Sequence, residues 1–248
     1  MFLKRNKRQG GDAAIGLDLG TSQFKAVVVQ KRGDRFALNA YAIRPCSSAA
    51  GKRGTEQQIA DDLQQVMNAL GVQERRVGVT ISCSSAMVCQ TEVPRIPIHE
   101  IRGALKLNSS RYLRRDFSNY CLDVTELPEL ESEAKAKKQS KMKVLVGGAD
   151  REEVAWYRDA LEAAKIRPEV MELAAVSVVN AFRMSNPELC EKEMILLVDI
   201  GARSTSINFL RQGQPIITRI THFGGLQLSE YVAQMLSVEN PVAEEEKV

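Results

Sequence analysis

Hydrophobic residues occur in three short runs at the start of the chain, and polar turn residues separate the runs. The runs cover residues 13–20, 24–30 and 35–43, with turns at 20–22 and 31–34. Short apolar runs that are bounded by Gly, Asp and Ser are typical of β-strands joined by tight turns. We therefore expect the chain to open with a β-meander.

A helical spacing of apolar residues begins after residue 54. Thr55 and Gln58 match a capping box, in which the side chain of each residue bonds the backbone of the other. The apolar positions that follow share one helix face; they are Ile59, Leu63, Val66, Met67 and Leu70. A helix that ends at Gly71 is predicted, followed by a strand at 75–82 that returns to the sheet and a further strand at 86–94.

Residues 96–117 predict a single helix with Ile98, Ile101 and Leu105 on its inner face. A cluster of arginines stands near its end, and it comprises Arg111, Arg114 and Arg115. This cluster either grips an acidic partner or forms a solvated helix end, where cations interact favourably with the helix dipole.

Strands and helices alternate through the next part of the chain. Strands are predicted at 120–127, 141–149 and 167–173, and helices follow the last two at 150–164 and 174–182. Asp150 is placed to cap the first of these helices, with Glu153 three residues further on. The charged segment 128–141 predicts a mobile loop.

The opening pattern then occurs a second time. Asp199–Ile200–Gly201 repeats Asp18–Leu19–Gly20 after 181 positions, and hydroxyl residues, an apolar run, a Gly turn and a third strand follow in both places. One such hairpin arises easily by chance, whereas two in matching context indicate an internal duplication. We therefore predict an α/β fold whose two similar units face each other across a cleft.

Both Asp-x-Gly turns have the composition of phosphate-binding loops. Glycine lets backbone N–H groups come close to an anion, and the hydroxyl residues that follow add donors. The aspartate would repel phosphate, but it can hold a hydrated Mg²⁺. A lone turn of this kind is more simply an ordinary hairpin, and only the duplication favours a phosphate clamp. Lys25 either reaches a phosphate or points at solvent.

Composition narrows the classes of function. A formal net charge of +3 over 248 residues does not by itself indicate a nucleic-acid partner. The cysteines form no CxxC pair and both histidines are isolated, so neither a zinc site nor a disulfide framework is predicted, and a reducing, cytosolic setting is favoured. No apolar run is long enough to span a bilayer. The basic segment 1–12 predicts a flexible terminus, or one that touches an anionic membrane surface.

The two turns, in "IGLDLGTSQFKAVVV" and "LLVDIGARSTSINFL", resemble the phosphate motifs of the actin, Hsp70 and sugar-kinase superfamily. "EVMELAA" resembles its connecting segment, and "FGGLQLSEYVAQML" and "AEEEK" resemble two helices beside its nucleotide. Residues 44–54 form only a short link where actin inserts a subdomain, whereas 94–146 resemble subdomain 1C of FtsA and PilM proteins. The order and spacing of the later segments are similar to those of the PilM family of type IV pilus assembly.

This resemblance implies an actin-like, ribonuclease H-like duplicated fold. Its parts would be a flexible N-terminus (1–12), subdomain 1A (13–93), the 1C insertion (94–146), a return to 1A (147–185), and a partial subdomain 2A with the start of 2B (186–248). The family continues beyond the position of Val248. The second half is therefore expected to be incomplete, with nucleotide binding weakened or lost.

The resemblance also implies a site for ATP and Mg²⁺. Its nucleotide-binding residues would be Asp18, Gly20, Thr21, Ser22, Lys25, Asp199, Gly201, Ser204, Thr205, Gly224, Gly225, Glu244 and Lys247. Asp18 and Asp199 would hold Mg²⁺ through water, and Glu172 would face the metal and the attacking water as the candidate catalytic residue. Arg203 replaces a small residue of the family, and it either adds a charge contact to phosphate or blocks the site.

The implied function is that of a cytoplasmic ATP-binding scaffold, peripheral to the inner membrane, in a type IV pilus or a related type II secretion platform. Its partner would be the cytoplasmic tail peptide of a PilN-like membrane protein, self-association is a further option, and no nucleic acid is expected. ATP hydrolysis is expected to be slow or absent. The alternatives are an FtsA-like division or filament protein and, less favoured, a sugar-kinase-like or Hsp70-like ATPase.

Overall fold

A computed structural model describes residues 13–33, 35–47, 54–72, 76–129 and 140–238. The described strands are β1 (Ala13–Leu19), β2 (Gln23–Arg32), β3 (Arg35–Pro45), β4 (Arg76–Ile81), β5 (Met87–Pro94), β6 (Tyr120–Glu126), β7 (Lys141–Asp150), β8 (Arg167–Leu173), β9 (Met194–Ile200), β10 (Thr205–Arg211) and β11 (Gln214–Thr221). The described helices are α1 (Glu56–Leu70), α2 (Ile98–Leu107), α3 (Ser109–Leu113), α4 (Arg151–Ala163), α5 (Ala174–Ser185), α6 (Pro187–Lys192) and α7 (Gly225–Leu236).

The first sheet has the strand order β3-β2-β1-β4-β8. The predicted meander is confirmed, since β1, β2 and β3 pair as antiparallel neighbours. Strands β1, β4 and β8 run parallel, so their carboxyl ends lie at one edge of the sheet. Asp18, Thr80 and Glu172 stand side by side at that edge.

One face of this sheet forms the main hydrophobic core together with α1 and α4. Residues Leu17, Phe24 and Leu63 are almost completely buried there. Helix α5 contacts the opposite face, because Ser177 bonds Thr80, whose strand neighbours Val79 and Ile81 face the core. The parallel strands therefore have helices on both faces, as in other α/β folds.

Helix α1 forms as predicted. Thr55 and Gln58 make the reciprocal capping bonds, and Gly71 ends the helix with a left-handed φ of 74°. A positive φ suits glycine because it has no Cβ. The apolar face that the spacing predicted is the buried one.

Strands β5, β7 and β6 form a separate sheet in that order. It runs from Met87 to Asp150, so it extends beyond the predicted 94–146 range at both ends. Its core is formed with α2 and includes Ile101, Leu105 and Val144. This sheet therefore has a hydrophobic core of its own, whereas the assignment of 94–146 as subdomain 1C stays a prediction.

The prediction of one helix over 96–117 is wrong, because α2 ends at Leu107 and α3 begins at Ser109. Between them Asn108 leaves the helical region (φ −151°), and its side chain accepts a hydrogen bond from the backbone N–H of Arg111. An asparagine side chain competes in this way with the helical backbone. The arginines at the end are exposed, and Arg114 takes a left-handed φ of 59°.

The third sheet has the order β11-β10-β9 and contains the repeated segment. Strands β9 and β1 begin and end 181 positions apart, and each pairs with the next strand in an antiparallel hairpin. The predicted duplication is confirmed by this match. Most of the 128–141 segment lies outside the described residues, as do Glu244 and Lys247. None of the described helices is long and apolar enough to cross a membrane.

Candidate functional site

The two duplicated turns meet at one cavity of about 140 Å³ between the halves. The cavity is lined by most of the predicted nucleotide-binding residues: Asp18, Gly20, Thr21, Ser22, Lys25, Asp199, Gly201 and Ser204. Ala174 and Ala175, at the start of α5, form another part of its wall. The fold therefore brings both Asp-x-Gly turns to one place, and we call this cavity the phosphate cleft.

Both turns of the phosphate cleft are too tight for a residue other than glycine. A Cβ on Gly20 would lie 2.7 Å from the carbonyl oxygen of Gln23, and one on Gly201 would lie 2.9 Å from that of Ser204. The backbone N–H of Gly201 also donates to the Ser204 carbonyl at 2.9 Å. Turns of this kind hold their backbone close to the cleft, where an anion can approach it.

Lys25 forms an ion pair with Asp18 across the first hairpin. Its Nζ lies 3.1 Å from Asp18 Oδ2, and the two residues are direct partners in the β1–β2 register. The ion pair is partly exposed, so it contributes little to stability. It does place an ammonium group beside the carboxylate at the mouth of the cleft, which reduces the repulsion that Asp18 exerts on phosphate.

The start of α7 holds the second turn in place. The backbone N–H groups of Gly225 and Leu226 donate to the carbonyl oxygens of Gly201 and Ala202, each at 2.9 Å. Gly224 packs so closely that a Cβ there would lie 2.5 Å from the Gly201 carbonyl oxygen. Gly224 and Gly225 thus lie against the turn rather than on the cleft wall, and a direct role toward the nucleotide stays a prediction.

Thr205 is also turned away from the cleft. It is buried, and its hydroxyl donates to the carbonyl oxygen of Phe223 at 2.7 Å. This bond connects the first residue of β10 to the segment before α7. Thr205 therefore helps the start of α7 to hold the second turn in place.

The Glu172 carboxylate is held by residues of α5. It accepts hydrogen bonds from Ser177 Oγ at 2.9 Å and from Asn180 Nδ2 at 3.1 and 3.2 Å. Ser177 also accepts a bond from Thr80 at 2.9 Å. Glu172 stands near the cleft edge but does not line the described cavity. Its proposed catalytic role stays a prediction.

A second cavity, of about 240 Å³, adjoins the phosphate cleft, and it was not predicted from the sequence. Gly20, Thr21 and Ser204 line both cavities. Trp156 and Tyr157 of α4 line it together with Arg203 and His222 of the second half. We call it the aromatic pocket. Gly20, Thr21, Arg203 and Ser204 belong to the two predicted turns, whereas Trp156, Tyr157 and His222 come from other parts of the chain and no motif indicated them.

The side chain of Glu153 contacts residues that are distant from it along the chain. Asp150 caps α4 as predicted, accepting from the backbone N–H groups of Glu152 and Glu153. The Glu153 carboxylate instead accepts bonds from Ser84 and Ser85, from both their backbone N–H groups and their hydroxyls. It thus fastens the turn after β4, which lines both cavities, to α4.

The same contacts shift the pKa of Glu153. Burial raises the pKa of this carboxyl, but the hydrogen bonds from Ser85 and Ser84 outweigh burial and leave it below its usual value. A lowered pKa means that the ionised form is favoured in the folded protein. Its stabilising effect is therefore present above the pKa of the unfolded chain and is lost as pH falls through the folded-state pKa.

We expect Glu153→Gln to lower the free energy of unfolding by about 1–2 kcal/mol at pH 7, since hydrogen bonds to a charged group are lost and solvent screens part of the effect. The difference from the unchanged protein should narrow below about pH 4.3, where carboxyls in the unfolded chain become protonated. Urea unfolding at several pH values measures both effects.

Glu152→Gln is the matched control for this experiment. Glu152 is exposed in the same first turn of α4, so its replacement removes the same charge from the helix dipole. An equal loss of stability in the two variants, or no dependence on pH, would contradict the role given to Glu153.

The residues of the phosphate cleft fit a hydrated Mg²⁺. Asp18 and Asp199 both line it, whereas no group of three or more His, Cys, Asp or Glu side chains is placed to hold a metal anywhere in the described part of the chain. Mg²⁺ usually keeps several waters and takes one or two carboxylates together with substrate phosphates. Two carboxylates beside two anion-binding turns match that preference.

Comparison with known proteins agrees with this arrangement. The sequence model of the family described as type IV pilus assembly protein PilM matches residues 16–248. Among solved structures, the chain is similar to one described as a PilM-PilN type IV pilus biogenesis complex, with a TM-score of 0.80 and 25% identity over 94% of this chain and 68% of that chain.

Two further solved structures are less similar. They are the cytoplasmic domain of EpsL from the type II secretion system of Vibrio cholerae (TM-score 0.49, 11% identity, 92% of this chain and 76% of that chain) and the ethanolamine utilization protein EutJ from Carboxydothermus hydrogenoformans (TM-score 0.48, 14% identity, 94% and 60%). Similarities of this size support no functional statement. The family match covers nearly the whole chain. The chain therefore belongs to the PilM family of type IV pilus assembly proteins, and its fold is the actin-like α/β fold that the sequence predicted.

Proposed function

We propose that this protein binds ATP with Mg²⁺ and serves as a cytoplasmic scaffold, peripheral to the inner membrane, that docks the tail peptide of a PilN-like membrane protein. The observation that carries the proposal is the meeting of both Asp-x-Gly turns at the phosphate cleft. Two turns from opposite halves surround an anion better than one, because backbone N–H groups and hydroxyls approach it from both sides.

The two carboxylates in the phosphate cleft favour binding of ATP together with Mg²⁺ over binding of ATP without a metal. Asp18 and Asp199 would repel phosphate unless a divalent cation stood between them. Mg²⁺ would neutralise the phosphates when it is bound. Lys25, already paired with Asp18, is placed to move to a phosphate oxygen once the metal takes over the carboxylate.

A PilN-like tail is proposed as the partner on the similarity to the PilM-PilN complex, at a TM-score of 0.80. An extended peptide can bind by adding to an open sheet edge, which requires no catalytic group. In the described part of the chain, β3 and β6 are edge strands of two different sheets. Such edges offer unpaired backbone groups to a peptide.

Slow hydrolysis is proposed because Glu172, the candidate general base, does not line the phosphate cleft. Its carboxylate already accepts bonds from Ser177 and Asn180. A base must come within hydrogen-bond distance of the attacking water in the complex with substrate. A carboxylate held in this way positions water poorly.

Isothermal titration calorimetry tests the proposal. We expect saturable binding of ATP in the presence of Mg²⁺, and separately of a synthetic peptide from the cytoplasmic tail of the PilN-like protein of the same pilus system. A peptide of the same composition in scrambled order is the control. If neither ATP nor the tail peptide binds, the proposed function is wrong.

A further inference from the structure

We propose that the aromatic pocket is a second binding site, adjoining the phosphate cleft, for a compact organic anion: a planar apolar group that carries a phosphate or a carboxylate. The pocket has a volume of about 240 Å³ and lies between α4 and the second turn. Small-molecule sites in proteins are concave, mainly apolar, and carry a few polar groups that orient the ligand.

One side of the pocket is a rigid apolar wall. The rings of Trp156 and Tyr157 meet edge to face, with centroids 5.0 Å apart. The Tyr157 hydroxyl donates to the carbonyl oxygen of Ser82 at 3.1 Å, which fixes the ring. Phe24 and Cys46 lie buried beneath this wall. A wall that is already ordered binds a flat apolar group with little loss of conformational entropy.

Arg203 adds a positive charge to the lining of the pocket. Arg203 and His222 both come from the second half, on the two ends of the β10–β11 hairpin. A guanidinium binds phosphate and carboxylate with paired, charge-assisted hydrogen bonds. This position accounts for Arg203, which departs from the small residue expected in the turn.

The negative charge in the lining of the pocket is that of Glu153. Glu153 lies on the α4 side, where its carboxylate accepts bonds from Ser84 and Ser85. A ligand would therefore place its apolar group toward Trp156 and its anionic end toward Arg203. The opposite orientation would bring two negative charges together.

The pocket is continuous with the phosphate cleft but differs from it in chemistry. Both cavities include Gly20, Thr21 and Ser204, so their occupants would be neighbours. Asp18, Asp199 and Lys25 line only the cleft, whereas Trp156, Arg203 and His222 line only the pocket. The two sites can therefore be disabled one at a time.

Trp156 provides the measurement, because it is the only tryptophan in the chain. Phenyl phosphate and benzoate are titrated while its fluorescence is recorded, with phenol as the uncharged control and inorganic phosphate as the control without a ring. We expect a saturable change with a dissociation constant of about 1 mM or tighter for at least one of the two anions. Phenol and inorganic phosphate should bind at least about tenfold more weakly.

Matched variants identify the site. Arg203→Gln should weaken binding of the anion about tenfold or more, whereas Arg219→Gln, at an exposed position of β11 outside both cavities, should leave it unchanged. Trp156→Leu, followed by calorimetry, should weaken it as well. Circular dichroism tests whether each variant is folded. If Arg203→Gln does not fold, His222→Asn replaces it in the experiment.

The outcomes separate this proposal from the nucleotide site. Asp18→Asn should weaken Mg·ATP binding and leave phenyl phosphate binding intact, whereas Trp156→Leu should do the reverse. Absence of a saturable change with both anions, equal binding of inorganic phosphate, or equal effects of Arg203→Gln and Arg219→Gln would overturn the proposal. These three overturning outcomes do not depend on whether the protein binds ATP.

Discussion

Gly224→Ala should lower the free energy of unfolding by about 1–3 kcal/mol and weaken the binding of Mg·ATP. The new Cβ would lie 2.5 Å from the Gly201 carbonyl oxygen and 2.7 Å from the carbonyl carbon and oxygen of Ala202. All three atoms belong to the backbone, so no side chain can rotate away to relieve the overlap. The second turn must move, and the bonds that Gly225 and Leu226 donate to it must lengthen.

The loss of stability in Gly224→Ala would come from steric overlap and not from the backbone conformation, since any residue can adopt the φ of −157° at this position. Gly103→Ala is the matched control, because a Cβ there meets nothing within 4 Å and the position lies inside α2. That variant should gain about 0.5–1 kcal/mol from the higher helix propensity of alanine. Urea unfolding compares the two, and equal unfolding midpoints would refute the tight packing at Gly224.

Asp18→Asn should lower the affinity for Mg·ATP by about 10–100-fold, the usual range when a group that holds a metal through water is removed. The same change should leave the affinity for ATP in EDTA unchanged or higher. Without the metal, the Asp18 carboxylate only repels the phosphates, and asparagine removes that repulsion. Calorimetry in buffers with Mg²⁺ and with EDTA measures both affinities.

Asp159→Asn is the control for this test, since Asp159 pairs with Arg158 on α4 and lines neither cavity. It should bind Mg·ATP as the unchanged protein does. Equal losses in Mg²⁺ and in EDTA would show that Asp18 supports the turn and does not hold the metal. The opposite responses in the two buffers are what distinguish a metal-holding carboxylate from a structural one.

Short-range signals predicted the parts of the fold in which neighbours along the chain interact. The capping box of Thr55 and Gln58, the left-handed stop at Gly71 and the three-stranded openings of both halves all formed where the sequence indicated. Hydrogen bonds and turn conformations of this kind join residues a few positions apart. The repeat after 181 positions also predicted a long-range feature, namely that two similar units face each other across a cleft.

The prediction of a single helix over 96–117 failed because one side chain bonded the backbone close to it. Asn108 ended a helix whose apolar spacing continued past it, because its side chain bonded the Arg111 backbone instead. Asp150 caps α4 at Glu152 and Glu153 as predicted, but the contacts of the Glu153 carboxylate with Ser84 and Ser85, nearly seventy positions away, were not predicted. The spacing of residues along the sequence does not show whether a carboxylate or amide side chain bonds a nearby or a distant partner.

By itself, the sequence determined the duplicated α/β fold and the two glycine turns with their aspartates, because periodicity and turn chemistry act over a few residues. Only the tertiary structure decided how these parts combine. It turned the first N–H groups of α7 onto the Gly201–Ala202 turn, paired Lys25 with Asp18, and brought Trp156 and Arg203 into the lining of one pocket. Packing of the sheets and helices sets those distances, and no local pattern in the chain records them.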